Sequence, residues 1–298
     1  MLTDTALIFV LNRKYVRPLK VLLFSLAENA SLQDCPIIVV TDDERVAKDP
    51  FIRRVAERIE LMDQEGLSVF SSIRGEKIAE KSRVAFAPKY TFLKFMTFLE
   101  RGFKRHIFID ADMLCMSALD EALLTQPYDV KAMKEVPSSK FPIREESRAK
   151  FDREEAIRLV FRADKPQENA PGTGINSGFM VLQDRAISNS VFELAIEVAS
   201  SDAYAAEQPA TSEVIRRIDG GRFLEMPIWY NARRRVFECL GPAFFLEHQE
   251  SIKLLHFTPG KPWVLGSRDE DFLDRLWLDW EDRSRVWVQD RITAGASI

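Results

Sequence analysis

Residues 107–115 read IFIDADMLC. Three apolar residues lead into Asp110, a second carboxylate follows at Asp112, and apolar chain resumes at once. Continuous rather than alternating hydrophobicity marks a strand covered on both faces. Residues 106–109 are therefore expected to form a strand with Asp110 at its end. Two carboxylates about 4 Å apart at an effective dielectric near 20 repel by roughly 4 kcal/mol. A solvated loop screens much of that and the end of a buried strand screens less, so the pair calls for an explanation.

Outward from this stretch the chain alternates strand and helix. Residues 6–11 (ALIFVL) and 36–40 (PIIVV) are apolar runs of strand length, and Val16, Leu19, Leu23 and Leu26 between them have helical spacing over 16–28. Residues 89–101 predict another helix, with Phe92, Phe95, Met96 and Leu99 as its buried stripe and Gly102 just past its end. Such punctuation predicts an α/β fold with a mainly parallel sheet and right-handed crossovers. Ligands on such sheets sit at the carboxyl ends of strands, where Asp110, Asp112 and Asn12 are expected. The charged block 134–172 has a weak helical face (Ile143, Ala149, Ala156, Leu159, Val160) and reads as a solvated helix or a lid. A strand is expected at 178–182 and a helix near 188–200. From about Asp269 a helix carries Phe272, Leu273, Leu276, Trp277 and Trp280.

Composition narrows the classes. With 298 residues, 46% of them hydrophobic, the chain can bury a sizeable core. A net charge of −4 offers no basic excess for nucleic acid or anionic membranes. Three cysteines, far apart and odd in number, give neither a disulfide framework nor a CxxC metal site and suit a reducing compartment. The N-terminus has no positive region before its short apolar run, and no apolar run reaches about 18 residues. The expectation is a soluble cytoplasmic protein without a transmembrane segment.

The aspartates admit three readings. Asp110 can cap a turn while Asp112 faces water. The strand–DxD pattern also resembles the nucleophile motif of haloacid-dehalogenase-type phosphatases, although Met113 stands where that family usually has Thr or Val. Thirdly, a divalent cation between the carboxylates reverses the sign of their interaction, and hard oxygen ligands suit Mg²⁺ or Mn²⁺.

Further blocks, in order, are FVLNRKY (9–15), YTFLKF (90–95), FIDADMLCMSALDEAL (108–123), INSGFMVL (175–182), EQPATSEVI (207–215), PIWYN (227–231) and HFTPGKPW (256–263). Together they resemble the retaining GT-A transferases of glycosyltransferase family 8, which includes glycogenin and bacterial lipopolysaccharide galactosyl- and glucosyltransferases. The resemblance implies a GT-A α/β/α sandwich over residues 1–268, with 269–298 as a helical extension. It implies transfer of glucose or galactose from a UDP-sugar, with retention, to an acceptor the sequence does not identify. A binding-only descendant of the fold is the rival from another class.

By the same resemblance, Asp110, Asp112 and His256 would be the metal ligands, and a nitrogen ligand tilts the choice from Mg²⁺ towards Mn²⁺. Leu11, Asn12, Tyr15 and Ala111 would meet the nucleotide, with Tyr15 able to stack on the base. Gly260 and Lys261 would grip the diphosphate, in a loop one residue shorter than in glycogenin-like sequences. Lys94 would lie near donor sugar and phosphate. Asn176, Ser177 and Gly178 would contact the sugar. Glu207, where the family usually has Asp, would hold the sugar, and Gln208 would face the β side of the anomeric carbon. On residue type alone, other readings stand. His256 reads as a satisfied core histidine, Lys94 as a solvated lysine, Tyr15 as a surface tyrosine and Trp263 as a packing residue. Asn176–Gly178 reads as an Asx-type turn with unusual torsion angles at the glycine. Arg233–Arg235 reads as a solvated face or a meeting point for an acidic acceptor.

Overall fold

A computed structural model of the chain describes residues 2, 4–70, 73, 89–136, 140–142, 151–168, 174–201, 207–264 and 271–294. The first apolar run forms β1 (Thr5–Val10), whose side chains are almost all buried. β2 (Ile37–Thr41), β3 (Arg58–Leu61) and β4 (Arg105–Ile109) join it in the order β3-β2-β1-β4, every pair parallel. The helix Val16–Glu28 crosses from β1 to β2, buries Leu19, Leu22, Leu23 and Leu26, and needs no correction from its sequence reading.

The remaining strands are β5 (Met113–Cys115), β6 (Val130–Lys134), β7 (Gln167–Glu168), β8 (Ile175–Gln183), β9 (Phe223–Glu225), β10 (Ala232–Arg233) and β11 (Leu254–His256). The large sheet continues β4-β8-β6-β9-β7, and a small one has the order β10-β11-β5. β8 runs antiparallel to both its neighbours, a break in the parallel pattern that matters for the site. It brings the start of β8 beside the carboxyl end of β4, with Ile109 opposite Phe179. The pairing with β6 jumps from Ala132–Met180 to Met133–Asn176, so residues 177–179 bulge out of that ladder. Bulges re-aim side chains beside active sites.

Several expectations change. The helix foreseen over 89–101 is a short α-helix, Lys89–Phe92, followed by a 3₁₀ helix, Leu93–Phe98. The reason is the spacing Phe-x-x-Phe-x-x-Phe. At three residues per turn Phe92, Phe95 and Phe98 line one face, and successive ring centroids lie 5.5 and 6.2 Å apart. β8 starts earlier than foreseen, so Asn176–Gly178 are strand residues and not a turn before one. The block 134–172 holds a helix, Arg153–Arg162, that buries Ala156 and Val160, while residues 137–139, 143–150 and 169–172 of the foreseen helix or lid lie outside the described residues.

The run Arg233–Arg235 is not a solvated face, because Arg234 is buried and its two neighbours are half-buried and engaged within the protein. The Arg233 guanidinium pairs with Glu135, and Arg235 donates to the Phe141 carbonyl. Arg234 is wholly buried, with Nη1 2.6 Å from Asp274 Oδ1 and further bonds to Asp271 and Glu238. Those aspartates start the helix Phe272–Thr293, where Asp271 and Asp274 form a capping box. Its Trp280 and Trp287 pack on Phe24 of the first helix at 5.8 and 5.9 Å. No helix among the described residues is long and apolar enough to cross a membrane.

Candidate functional site

Two ladders bring the acidic pair and the imidazole together. Asp110 N–H donates to the Gly178 carbonyl at 2.7 Å, which ties the end of β4 to the bulge of β8. The chain turns through buried Ala111 and Asp112 and enters the small sheet as β5. There Phe257 N–H donates to the Asp112 carbonyl at 2.9 Å, and His256 stands opposite Met113. Asp110, Asp112 and His256 each offer one ligand atom, and these all lie within 4.8 Å of one another. His256 Nε2 is 3.2 Å from Asp112 Oδ1 and 3.9 Å from Asp110 Oδ2.

The arrangement fits a divalent ion. Ligands on opposite sides of an ion the size of Mg²⁺ stand about 4.2 Å apart, so one ion reaches across both measured separations. The donor set is two carboxylates and an imidazole. Burial drives the His256 pKa down to about 3, against the pull of Asp110 and with the help of Lys94 and Arg233. A neutral ring is the form that ligates.

Two lysines neighbour the aspartates. Lys94 Nζ donates to Asp110 Oδ2 at 2.9 Å, so it is not the solvated lysine that residue type alone suggested. Burial disfavours its charge, but Asp110 and Glu207 outweigh burial and raise its pKa. Lys261 donates to Asp112 Oδ2. Burial lowers the Lys261 pKa to about 8, with Asp110 opposing and Lys94 assisting. Its ammonium also lies 5.6 Å from the ring centroids of both Tyr15 and Trp263. Trp263 packs in turn on Trp277 at 5.2 Å.

The bulge supplies the next layer. Ser177 Oγ donates to Glu207 Oε2 at 3.0 Å and lies 3.5 Å from Lys94 Nζ. Thr211 Oγ1 donates to Glu207 Oε1 at 3.0 Å. Burial raises the Glu207 pKa, partly offset by Lys94, Ser177 and Thr211. Gln208, half-buried, follows on the same first helical turn. Gly178 has ordinary strand torsions, and what it contributes is space. A Cβ there would stand 2.7 Å from His256 Cε1 and from Met113 Cε. The Asx contact foreseen from the sequence is present, with Gly178 N–H donating to Asn176 Oδ1 at 3.0 Å.

The nucleotide candidates follow β1. Leu11 is buried with its N–H on Val40 O at 3.1 Å, and Asn12 caps a 3₁₀ turn through Lys14 N–H at 3.0 Å. Tyr15 is half-buried, and burial together with Asp110 raises its pKa. Gly260 sits in the loop between β11 and Lys261. Asn231 and Glu135 went unassigned from sequence. Asn231 Oδ1 is 2.8 Å from His256 Nδ1, and Glu135 Oε2 is 2.7 Å from Asn176 Nδ2. The block PIWYN held the signal for Asn231, whereas nothing local marks Glu135. A cavity of about 440 Å³ lies elsewhere, lined by Leu7, Leu26, Cys35, Ile37 and Trp287 near the amino ends of β1 and β2. It adjoins none of these groups and lies at the end of the sheet where ligands are not expected.

Comparison with curated proteins gave no significant match. Among solved structures, the galactosyltransferase LgtC, in complex with donor and acceptor sugar analogs, superposes with a TM-score of 0.57 at 13% identity. That match covers 93% of this chain and 95% of that one. The glycosyltransferase GlyE of Streptococcus pneumoniae TIGR4 gives 0.55 at 13% identity, and the bifunctional glycosyltransferase WbbM 0.53 at 12%. Those matches cover 97% and 96% of this chain, which spans only 63% of GlyE and 51% of WbbM. These likenesses show the GT-A fold. The model of glycosyl transferase family 8 matches residues 6–265, and the chain belongs to that family.

Proposed function

We propose that this glycosyltransferase moves a hexose, glucose or galactose, from a UDP-sugar to an acceptor with retention, using a divalent ion, Mn²⁺ in preference to Mg²⁺. The observation that carries this reading is the convergence of Asp110, Asp112 and His256 to within 4.8 Å. Bound there, the ion supplies Lewis-acid neutralisation of the diphosphate leaving group. In LgtC the fold holds donor and acceptor sugar analogs, which supports a sugar-donor site here. Family membership takes away the ground for a phosphatase with Asp110 as nucleophile. We keep residues 1–268 as the transferase domain and 269–298 as its extension.

The roles of the chain's own residues follow from chemistry and position. Lys261 bonds Asp112 and has a pKa of about 8, so it is charged at neutral pH and suited to hold a phosphate oxygen. Gly260 lets backbone approach the same group. Tyr15, near the Lys261 ammonium, offers a ring face to the uracil, and Leu11, Asn12 and Ala111 line the way to it. Lys94, fixed on Asp110, positions a charge beside the leaving group.

Glu207 and Ser177 take the sugar hydroxyls. Asn176 has one amide hydrogen left for them, because its oxygen and its other hydrogen are engaged within the protein. Gln208 carries a poor nucleophile. Retention therefore runs by front-face attack, with the Gln208 amide stabilising oxocarbenium-like charge and a leaving phosphate oxygen taking the acceptor proton.

A thermal-shift panel of nucleoside diphosphates and sugar nucleotides, with and without Mn²⁺, tests this reading. Uridine compounds should stabilise only when the metal is present, by about 2.7 kcal/mol at a hundredfold excess over Kd. Indifference to the whole panel overturns it. Binding without release of UDP in the presence of sugar acceptors points to the binding-only descendant.

A further inference from the structure

We infer that Glu135, Asn176 and Asn231 form a hydrogen-bond relay that fixes the tautomer of His256, holding its proton on Nδ1 and presenting a bare Nε2 to the ion. The inference takes from the proposed function only the ion that Nε2 would meet.

An amide side chain or an imidazole can be placed two ways, so its neighbours must decide. Two groups at the head of this chain have no such freedom. The Glu135 carboxylate accepts, and the Gly178 backbone N–H donates. Glu135 Oε2 lies 2.7 Å from Asn176 Nδ2, and Gly178 N lies 3.0 Å from Asn176 Oδ1. Between them they set Asn176 with its NH₂ on Glu135 and its oxygen on Gly178. That oxygen can only accept, so the atom of Asn231 2.8 Å away must be its NH₂. The Asn231 carbonyl oxygen is then left facing His256 Nδ1 at 2.8 Å. An oxygen cannot donate, so Nδ1 carries the proton.

The consequence is chemical. Nε2 stands 3.2 Å from Asp112 Oδ1 and 3.9 Å from Asp110 Oδ2 without a hydrogen bond to either carboxylate. With the proton on Nδ1, the Nε2 lone pair stands before two carboxylates. This suits a cation standing between the three groups. Asn231 is 0% and Asn176 1% exposed, so water does not compete for their amides. The Arg233 guanidinium pairs with the other oxygen of Glu135, and Arg233 is the ladder partner of His256 across β10 and β11. The relay is thereby tied into the same small sheet as the ring it orients. Asn176 thereby acts as a positioning residue, in addition to the sugar contact proposed for its remaining amide hydrogen.

Long-range ¹H–¹⁵N correlation spectra of the metal-free full chain read the tautomer directly. His106 serves as an internal reference, because its Nδ1 lies 2.8 Å from the Thr97 backbone oxygen and must donate. The expected result is a pyrrole-type Nδ1 and a pyridine-type Nε2 on His256. Asn231→Asp keeps an acceptor at Nδ1 but removes the donor to the Asn176 oxygen, so it should keep a proton on Nδ1 while the Asn176 contact is lost. Asn231→Leu should shift the ring towards Nε2–H and lower Mn²⁺ affinity, measured by electron paramagnetic resonance, by about 10–100-fold. An Nε2–H or doubly protonated ring in the wild type overturns the inference. So does an Asn231→Leu protein with unchanged tautomer and unchanged Mn²⁺ affinity. If Asn231→Leu does not fold, the wild-type spectrum decides alone. A wild type that shows Nδ1–H and binds no Mn²⁺ sinks the metal reading and leaves the relay standing.

Discussion

His106 and His256 are the same side chain in nearly the same burial, 0% and 3% exposed. Each ring has its Nδ1 2.8 Å from an oxygen, that of Thr97 in one case and of Asn231 in the other. Burial holds both pKa values down, to about 4 and about 3. They differ in what faces Nε2. In His106 that atom has no partner among the described residues and lies in the apolar core beneath β4. In His256 it faces Asp112 and Asp110 at 3.2 and 3.9 Å. Burial and a depressed pKa mark a neutral imidazole and cannot tell a ligand from a core residue. The groups in front of the free nitrogen can.

The largest effect should come from breaking that difference outright. His256→Ala removes a proposed ligand and should weaken Mn²⁺ by more than the roughly 10–100-fold typical of an outer-sphere change, and with it Mn²⁺-dependent stabilisation by uridine diphosphate. His106→Gln, which keeps a donor for Thr97 O, should leave Mn²⁺ affinity unchanged. Titration calorimetry on both variants is the measurement. Equal losses in the two would show that the fold, and not the ligand, was damaged.

A second effect belongs to His106. Its unfolded-state pKa is near 6.5 and its folded value about 4, so the unfolded chain binds more protons between them. Stability from this group is complete above pH 6.5, is lost as pH falls towards 4, and amounts to about 3 kcal/mol. Arg101 adds to the depression and Glu60 opposes it. Urea unfolding at pH 7 and pH 4.5 should show a steeper loss for the wild type than for His106→Gln. Identical slopes would mean that the ring is not buried neutral.

The sequence made one half of this contrast visible and hid the other. β1 and the first helix were legible because their hydrophobic period is strong and local. The acidic pair stood out because two like charges ending an apolar run conflict with their neighbourhood. His256 looked like a core histidine by the same features that make His106 one. Only the antiparallel pairing of β11 with β5 puts it against Asp112, and pairing partners far apart in the chain leave no local trace. Family resemblance supplied the expectation of a ligand at His256, which periodicity could not. The Arg233–Arg235 run misled because charge reads as exposure, whereas its partners Glu135, Asp271 and Asp274 are distant in sequence. Asn176–Gly178 read as a turn because the bulge interrupts the strand pattern beside the end of β4.

The smallest expected effect tests how narrowly His256 is placed. In Gly178→Ala the new methyl would lie 2.7 Å from His256 Cε1 and Met113 Cε and 3.0 Å from His256 Nδ1. The Met113 terminus can swing away at little cost, but the imidazole is held by Asn231 at 2.8 Å. Overpacking of this kind costs roughly 1–3 kcal/mol, and a shifted ring alters the 3.2 Å separation of Nε2 from Asp112. Thermal stability and Mn²⁺ affinity should therefore fall together. Gly102→Ala is the matched control. Gly102 has φ +81° and nothing within 4 Å of its virtual Cβ, so the substitution strains backbone, by roughly 1–2 kcal/mol, without touching the site. It should lower stability and leave Mn²⁺ affinity alone. A Gly178→Ala protein that behaves like Gly102→Ala would mean that the missing Cβ accommodates Met113 and that the ligand position tolerates a shift.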